Sequence, residues 1–362
     1  MTSDGISLET LFYMLGYAFK ALRQHDVVGA HSEKAVDFKT IEDVYGAILA
    51  RGISKLLKSG LHRNYVEVSE DLPVLRGRID IAGSIRHIIN RRQVISCVHD
   101  EFSANNQFNQ VLKTAANLLL RSGGLKNSGA ELRRQMVFFY DVDSVDPRSI
   151  KWSALQYTRG NECYRLLMTI CWLVINKKIV DDVADDAKSR INKEYDRCMS
   201  QLFENFVREY YISSACGFKV HPGGKKIDWG LDDSDNINGL PEMKSDIMIR
   251  GDNHRTLIID TKYYKDAMQH YRGKETARNA HLYQILSYVG NYKFNNPSAK
   301  VDGMLLYAIT KKDKWNESER LNWTLCNHNI ALDAVNLSLA FSDVRKKLDE
   351  IANEYFHKGG PR

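Results

Sequence analysis

The sequence predicts two successive domains of mixed helix and strand, α+β in the first half and α/β in the second. Three observations lead there. Amphipathic helical stretches alternate with short β-branched runs along the chain. In the second half the order is long helix, paired strands, helix, strand, helix, which is the order of a small mixed sheet flanked by helices. The length of 362 residues, with 43% hydrophobic and 27% charged content, suffices for two ordinary globular cores.

Residues 7–24 place Leu8, Leu11, Phe12, Met14, Leu15, Tyr17, Ala18, Phe19 and Leu22 at helical spacing behind Ser7, a suitable N-cap. A second helix over 40–59 stops at Gly60, a natural C-cap. Tyr65 to Glu70 alternates as a strand, the Arg76-Gly77-Arg78-Ile79-Asp80 segment follows Pro73, and Val94 to Val98 reads as another strand. Residues 106–122 form an apolar helix, and Met136 to Tyr140 a short strand. A buried helix over about 160–178 leads into an acidic bend at Val180–Ala187. Tyr195 to Tyr211 is amphipathic, with Met199, Leu202, Phe203, Phe206, Val207 and Tyr210 on its apolar side. Two strands joined by a turn follow, then a loop rich in Lys, Arg and Gly (265–276). A helix at 277–290, a strand at Gly303–Thr310 and a closing helix near 338–356 complete the chain. The expected division is 1–155 as an N-terminal domain, 156–190 as a helical connector and 191–362 as the second domain.

Cys97, Cys163, Cys171, Cys198, Cys216 and Cys326 are scattered without a CxxC pair, which argues against a zinc site or disulfide framework and for a reducing compartment. No signal segment and no membrane-length apolar run is present, so a cytoplasmic location without membrane contact is expected. Gly223-Gly224-Lys225-Lys226 lacks the spacing of a P-loop, so no nucleotide is expected to bind this chain. The net charge of +6 is compatible with a polyanionic partner without requiring one.

The most informative stretch is Ser245-Asp246-Ile247-Met248-Ile249, a turn at 251–254, then Leu257-Ile258-Ile259-Asp260-Thr261-Lys262-Tyr263-Tyr264. A hairpin centred on Asn253 brings residues whose numbers sum to 506 face to face, and Asp246 then opposes Asp260. Directly opposed Cβ atoms lie about 4.5–5.5 Å apart, and two carboxylates that close call for a cation between them. Alternation puts Lys262 on the same face as Asp260. This set suits phosphodiester cleavage: Asp246, Asp260 and the Thr261 backbone carbonyl as oxygen ligands of Mg²⁺, for which Mn²⁺ substitutes, and Lys262 to position or deprotonate water or to steady the developing anion. Paired with Lys244, Arg250 or Lys262, the same acids would be ordinary strand-end charges.

On the following helix, His281, Gln284 and Tyr288 share one face, with Leu282, Ile285, Leu286 and Val289 assigned to the other. Gln284 and Tyr288 are placed to hold Lys262 or to contact a DNA phosphate, and His281 reads as a structural or phosphate-contacting residue. Glu204, with Glu209 as competitor, is the acid on the preceding helix that would lean over the metal. Lys265, Arg272, Lys274 and Arg278 make the intervening loop a basic grip for DNA. Arg76, Arg78, Arg86, Arg91 and Arg92 form a basic cluster for DNA or an acidic protein.

These residues resemble the PD-(D/E)XK nuclease superfamily. Asp246 stands for the first acid, Asp260-Thr261-Lys262 for the (D/E)-x-K, and Gln284 to Tyr288 for the QxxxY of its RecB-like members. The first acid sits in Lys244-Ser245-Asp246, without the preceding Pro. Across most of the chain the sequence is similar to the McrC-like subunits of McrBC modification-dependent restriction systems. The likeness runs through Leu11–Ala18, Gly77–Asp80, Asn105–Lys113, Asp246, Asp260–Tyr264 and Leu282–Tyr288. The resemblance implies a restriction-endonuclease-like second domain that cuts double-stranded DNA. It also implies an N-terminal half that engages a hexameric McrB-like AAA+ GTPase, which recognises methylated cytosine and translocates. A chiefly motor-activating subunit and a stand-alone RecB-like nuclease are the alternatives.

Overall fold

The computed structural model describes residues 2, 4–18, 38–126, 128–180, 185–214, 219–221, 225–230, 239–251, 255–263, 269–271, 274–310 and 320–356. The chain forms two compact units, residues 45–183 and residues 1–44 together with 184–362. It opens with α1 (Leu8–Ala18) and α2 (Ile41–Ser59), and the division falls inside α2.

In the unit of residues 45–183, β1 (Asn64–Leu72), β2 (Arg78–Ile79) and β3 (Ile95–Ser103) form an antiparallel sheet in the order β1-β3-β2. Between β2 and β3 lies α3 (Ile81–Ile89), begun by the Asp80 side chain accepting from Ala82 N. None of its residues is buried: Ile81, Ile85, Ile88 and Ile89 are 70, 49, 73 and 74% exposed. It is tied to the sheet by polar contacts instead, with His87 Nε2 2.9 Å from Asp71 Oδ1 and Ser96 N donating to Ser84 Oγ at 3.1 Å.

The core of this unit lies among α4 (Gln107–Arg121), α5 (Gly129–Met136) and α6 (Tyr164–Val180). Phe108, Val111, Leu112, Ala115 and Leu119 bury the apolar face of α4. Asn109 is fully buried and fully used. Its Nδ2 donates to His62 O and Ala104 O, and its Oδ1 accepts from Tyr164 OH. Burial without such partners would cost on the order of 1–3 kcal/mol per group. The strand expected at Met136–Tyr140 is instead the end of α5 followed by a 3₁₀ turn at Val137–Phe139. Only Phe139 of that apolar run turns fully inward, and Lys113 Nζ rather than a neighbouring strand takes the carbonyls of Phe139 and Val142.

The second unit contains α7 (Asp185–Ser213), which starts ten residues before the expected Tyr195. Short strands β4 (Lys219–Val220), β5 (Lys226–Ile227) and β6 (Met243–Lys244) precede β7 (Ile247–Arg250) and β8 (Arg255–Tyr263). After them come β9 (Gln269–Tyr271), β10 (Lys274–Thr276), α8 (Asn279–Asn295), β11 (Lys300–Ile309), β12 (Leu321–Leu325), β13 (His328–Asn336) and α9 (Phe341–Phe356). Six strands form one mixed sheet, in the order β12-β13-β11-β8-β7-β4. β8, β11 and β13 run parallel, while β7, β4 and β12 pair antiparallel with their neighbours. This is the predicted helix-flanked mixed sheet, with β4, β12 and β13 added to it. Part of the predicted 265–276 loop is the β9–β10 hairpin.

One sheet face packs Met248, Ile258, Leu305, Tyr307, Ile330 and Leu332 against Ile285, Tyr288, Val289 and Tyr292 of α8. α8 lies so close that a Cβ on Gly303 would sit 2.8 Å from Ile285, Val289 and Ile330 side-chain atoms. α7 packs on β8 and β4, and α9 on β13.

α1 belongs to this unit, not to an N-terminal domain ending at 155. Its Tyr13 ring stacks on Phe341 at 4.3 Å, and Tyr17 lies against Phe206 and Tyr210. Ser7 N and Thr10 Oγ1 donate to the carbonyls of Leu337 and Leu339. The expected connector is divided as well, since α6 falls within residues 45–183 and α7 within the second unit. Among the described residues no helix is long and apolar enough to cross a membrane.

Candidate active site

β7 and β8 pair as Ile247↔Ile259, Met248↔Ile258, Ile249↔Leu257 and Arg250↔Thr256, the register that sums to 506. Ile247 opens β7, so the register carried one residue further sets Asp246 across from Asp260. Residues 252–254 of the connecting turn lie outside the described residues.

Each site residue is held by its neighbours. Asp246 Oδ2 accepts from both Thr261 N and Thr261 Oγ1 at 2.8 Å, which ties the first acid to the strand that carries the second. An extended residue directs its N–H and C=O to the same edge. The Thr261 carbonyl therefore faces the gap before β7 where Asp246 sits. Asp260 is 1% exposed. Its Oδ2 lies 2.6 Å from Lys262 Nζ, a contact of opposite charges rather than an aligned hydrogen bond. Lys262 Nζ donates to Gln284 Oε1 at 2.9 Å, and Gln284 Nε2 donates to Tyr288 OH at 2.9 Å.

Burial, followed by the nearby Asp246 carboxylate, raises the Asp260 pKa from 3.8 to about 7 against the lowering effect of Lys262. Glu204 is also raised, by burial and then by Asp246, so α7 delivers a third acid into the field of the pair. Both Glu204 oxygens are engaged, Oε1 by Arg208 at 2.8 Å and Oε2 by Gln201 at 3.0 Å. Arg208 and Gln201 were absent from the sequence reading, although their i+4 and i−3 spacing from Glu204 is a legible signal. The competitor Glu209 is buried, at 4% exposure.

The face assignment on α8 changes. His281, Ile285, Tyr288, Val289 and Tyr292 are buried together, and Leu282 and Leu286 only partly. Tyr288 is buried and supports Gln284, which in turn holds Lys262. His281 Nδ1 meets Tyr307 OH at 2.6 Å. Burial, Lys262 and Arg278 push its pKa down to about 4, which leaves a neutral, structural imidazole. Lys265 and Arg272 lie outside the described residues; Lys274 is on β10 and Arg278 immediately precedes α8. In the other unit, Arg78 lies 3.9 Å from Glu67, both exposed.

Among the described residues no group of three or more His, Cys, Asp or Glu side chains is gathered as a metal cage. Mg²⁺ does not require one, because it keeps several waters and binds through one or two carboxylates. A buried carboxylate oxygen without an aligned donor, a second acid in register and a backbone carbonyl at the same edge fit a hard cation.

The sequence matches the family described as McrBC 5-methylcytosine restriction system component over residues 2–308. It is 23% identical to the Type IV methyl-directed restriction enzyme EcoKMcrBC of Escherichia coli (strain K12), over 359 residues that cover 98% of this chain and 99% of that protein. Among solved structures it resembles the refined half-complex from the tetradecameric assembly of Thermococcus gammatolerans McrB AAA+ hexamers with bound McrC. That likeness has a TM-score of 0.45 at 16% identity and covers 95% of this chain and 76% of that one. A second likeness, to the Thermococcus gammatolerans McrBC complex, has a TM-score of 0.37 at 18% identity and covers 57% and 58% of the two chains. The family match spans most of the sequence, and the chain belongs to the McrBC 5-methylcytosine restriction system component family.

Proposed function

We propose that this chain is the Mg²⁺-dependent endonuclease subunit of a McrBC-like restriction complex, and that it hydrolyses phosphodiester bonds in double-stranded DNA carrying modified cytosine. The observation that carries this reading is the convergence at the end of β7 and β8. Two acids in register share an edge with a partly buried lysine that is itself held by Gln284. On this reading the second unit is a PD-(D/E)XK fold.

Asp246, Asp260 and the Thr261 carbonyl would hold the Mg²⁺, with Mn²⁺ as a substitute. The ion supplies Lewis-acid polarisation of the scissile phosphate and a more acidic water. The chain's own residues do the rest. Thr261 fixes Asp246 through two donors, so its carboxylate stays aimed without a rotamer search. Gln284 and Tyr288 hold Lys262 Nζ at the Asp260 carboxylate, where a cation steadies developing negative charge on the phosphate and orients the attacking water. Burial of Asp260 keeps competing water away and strengthens each of these interactions.

The experiment is Asp260→Ala in the reconstituted complex. Cleavage is abolished, while assembly and stimulation of the partner's GTP hydrolysis persist; retained cleavage overturns the assignment. Testing the wild-type chain with plasmid and Mg²⁺, with and without an AAA+ GTPase partner, separates this reading from a stand-alone nuclease.

A second activity accompanies the first. α3 presents four isoleucines to solvent, an apolar surface of the kind that marks a protein interface. It supports a role for the 45–183 unit in engaging and stimulating a hexameric McrB-like AAA+ GTPase, which would also supply the nucleotide site that this sequence lacks.

A further inference from the structure

The sheet face that carries Asp246 carries a second set of charged groups. Along β7, Asp246, Met248 and Arg250 alternate onto one side. Lys219 of β4 stands directly opposite Arg250, and His221 N donates to Met248 O at 3.1 Å, so Lys219 and His221 share that side. Lys225 precedes β5, with its backbone paired to Ser245 of the segment leading into Asp246. Arg250 and Lys225 meet on Tyr292 of α8. Arg250 Nη2 donates to Tyr292 OH at 2.6 Å, Arg250 Cζ lies 5.8 Å from the ring centroid, and Lys225 Nζ lies 5.2 Å from it. Next to them, Lys226 and Lys244 are directly opposed in the β5–β6 ladder.

Two neighbouring ladders thus set cation against cation, an arrangement that destabilises a sheet unless something neutralises it. Among the described residues no acid forms an ion pair with Lys219, Lys225, Lys226, Lys244 or Arg250. The field is felt locally: burial, then Arg250 and Lys225, hold the His221 imidazole below its ordinary range.

We propose that Lys219, His221, Lys225 and Arg250 form a phosphate-gripping edge for the DNA backbone. A strand rise of about 3.3 Å per residue puts Arg250 about 13 Å from Asp246 along β7. The edge therefore holds phosphates that flank the scissile one and sets the strand's path across the acid pair. The inference rests on the nuclease reading for its substrate, but it is tested by binding alone.

The experiment measures binding of the full chain to a short DNA duplex in EDTA, from about 50 to 200 mM salt. Each lost phosphate contact lowers the slope of log affinity against log salt by about 0.9. Lys219→Gln with Lys225→Gln is therefore expected to lower it by about 1.8 and to weaken binding at least tenfold at low salt. Lys346→Gln, an exposed lysine on α9, leaves the slope unchanged. A second variant, Arg250→Lys, keeps the charge and retains most of the slope. An unchanged slope in the double variant, or no measurable binding by the wild-type chain at 50 mM salt, overturns the proposal. Cleavage assays on the same samples separate the two readings: binding that depends on this edge without Mg²⁺-dependent cleavage removes the nuclease, while cleavage with an unchanged slope removes the edge.

Discussion

Lys262 Nζ donates to Gln284 Oε1 at 2.9 Å while lying 2.6 Å from Asp260 Oδ2, so one amide on α8 sets the position of the ammonium group on β8. Without Gln284 the ammonium group loses its neutral partner and keeps only the Asp260 carboxylate to fix its position. Supporting contacts of this kind are worth about 10–100-fold in activity. Gln284→Ala is expected to lower the cleavage rate by that factor with assembly intact. Tyr288→Phe, which removes only the acceptor of the Gln284 amide, is expected to lower it less. Single-turnover cleavage rates measure both.

The raised Asp260 pKa makes the second unit sensitive to pH. The folded chain holds this proton more tightly than the unfolded chain, so the group's contribution to stability is complete below pH 3.8 and is lost as pH rises through about 7. On the proposed reading, bound Mg²⁺ would compensate for the ionised carboxylate. Its stabilising increment should be larger at pH 8 than at pH 5.5. Asp260→Asn should melt higher than the metal-free wild type at pH 8 and lose the Mg²⁺ increment. About 1 kcal/mol corresponds to about 2–4 °C for a unit of this size, so thermal melts at the two pH values decide the matter.

Gly303 permits the close approach of α8 to the sheet, since a Cβ there would meet three side chains at 2.8 Å. Overpacking of this kind costs about 1–3 kcal/mol. Gly303→Ala is expected to lower stability by that amount in chemical denaturation. A neutral outcome would mean that α8 shifts freely, and the Lys262–Gln284 contact would then not be rigid.

The isoleucines of α3 do not hold up their own unit, because none of them is buried. Ile85→Asp with Ile88→Asp should change stability by no more than about 0.5 kcal/mol per site. The same pair should weaken stimulation of the partner GTPase at least tenfold, a loss of about 1.4 kcal/mol in binding. Titrating the partner with the variant chain measures the effect.

The register of the acid pair was legible because a short turn between two aliphatic runs leaves little freedom in pairing, and the observed ladder keeps the sum of 506. The α8 contacts were half legible. The spacing of Gln284 and Tyr288 singled them out, but helical periodicity cannot tell a solvated polar face from one buried beneath a neighbouring strand. β4, β5 and β6 went unread because two residues carry no periodicity, and in β13 Asn329 and Asp333 interrupt the apolar run.

The sequence by itself determined the make-up of the candidate site and the family: which acids face each other, which lysine accompanies them, and where the whole series belongs. The facing acids and their lysine follow from local alternation and turn geometry, which act over a few residues; the family follows from the ordered series of motifs along the chain. Only the tertiary structure decided which parts stand together. It placed α1 with residues 184–362 through Tyr13 on Phe341, and set Lys219 opposite Arg250. Contacts between distant segments depend on which apolar and charged surfaces meet once the chain is compact, and no local pattern encodes that meeting.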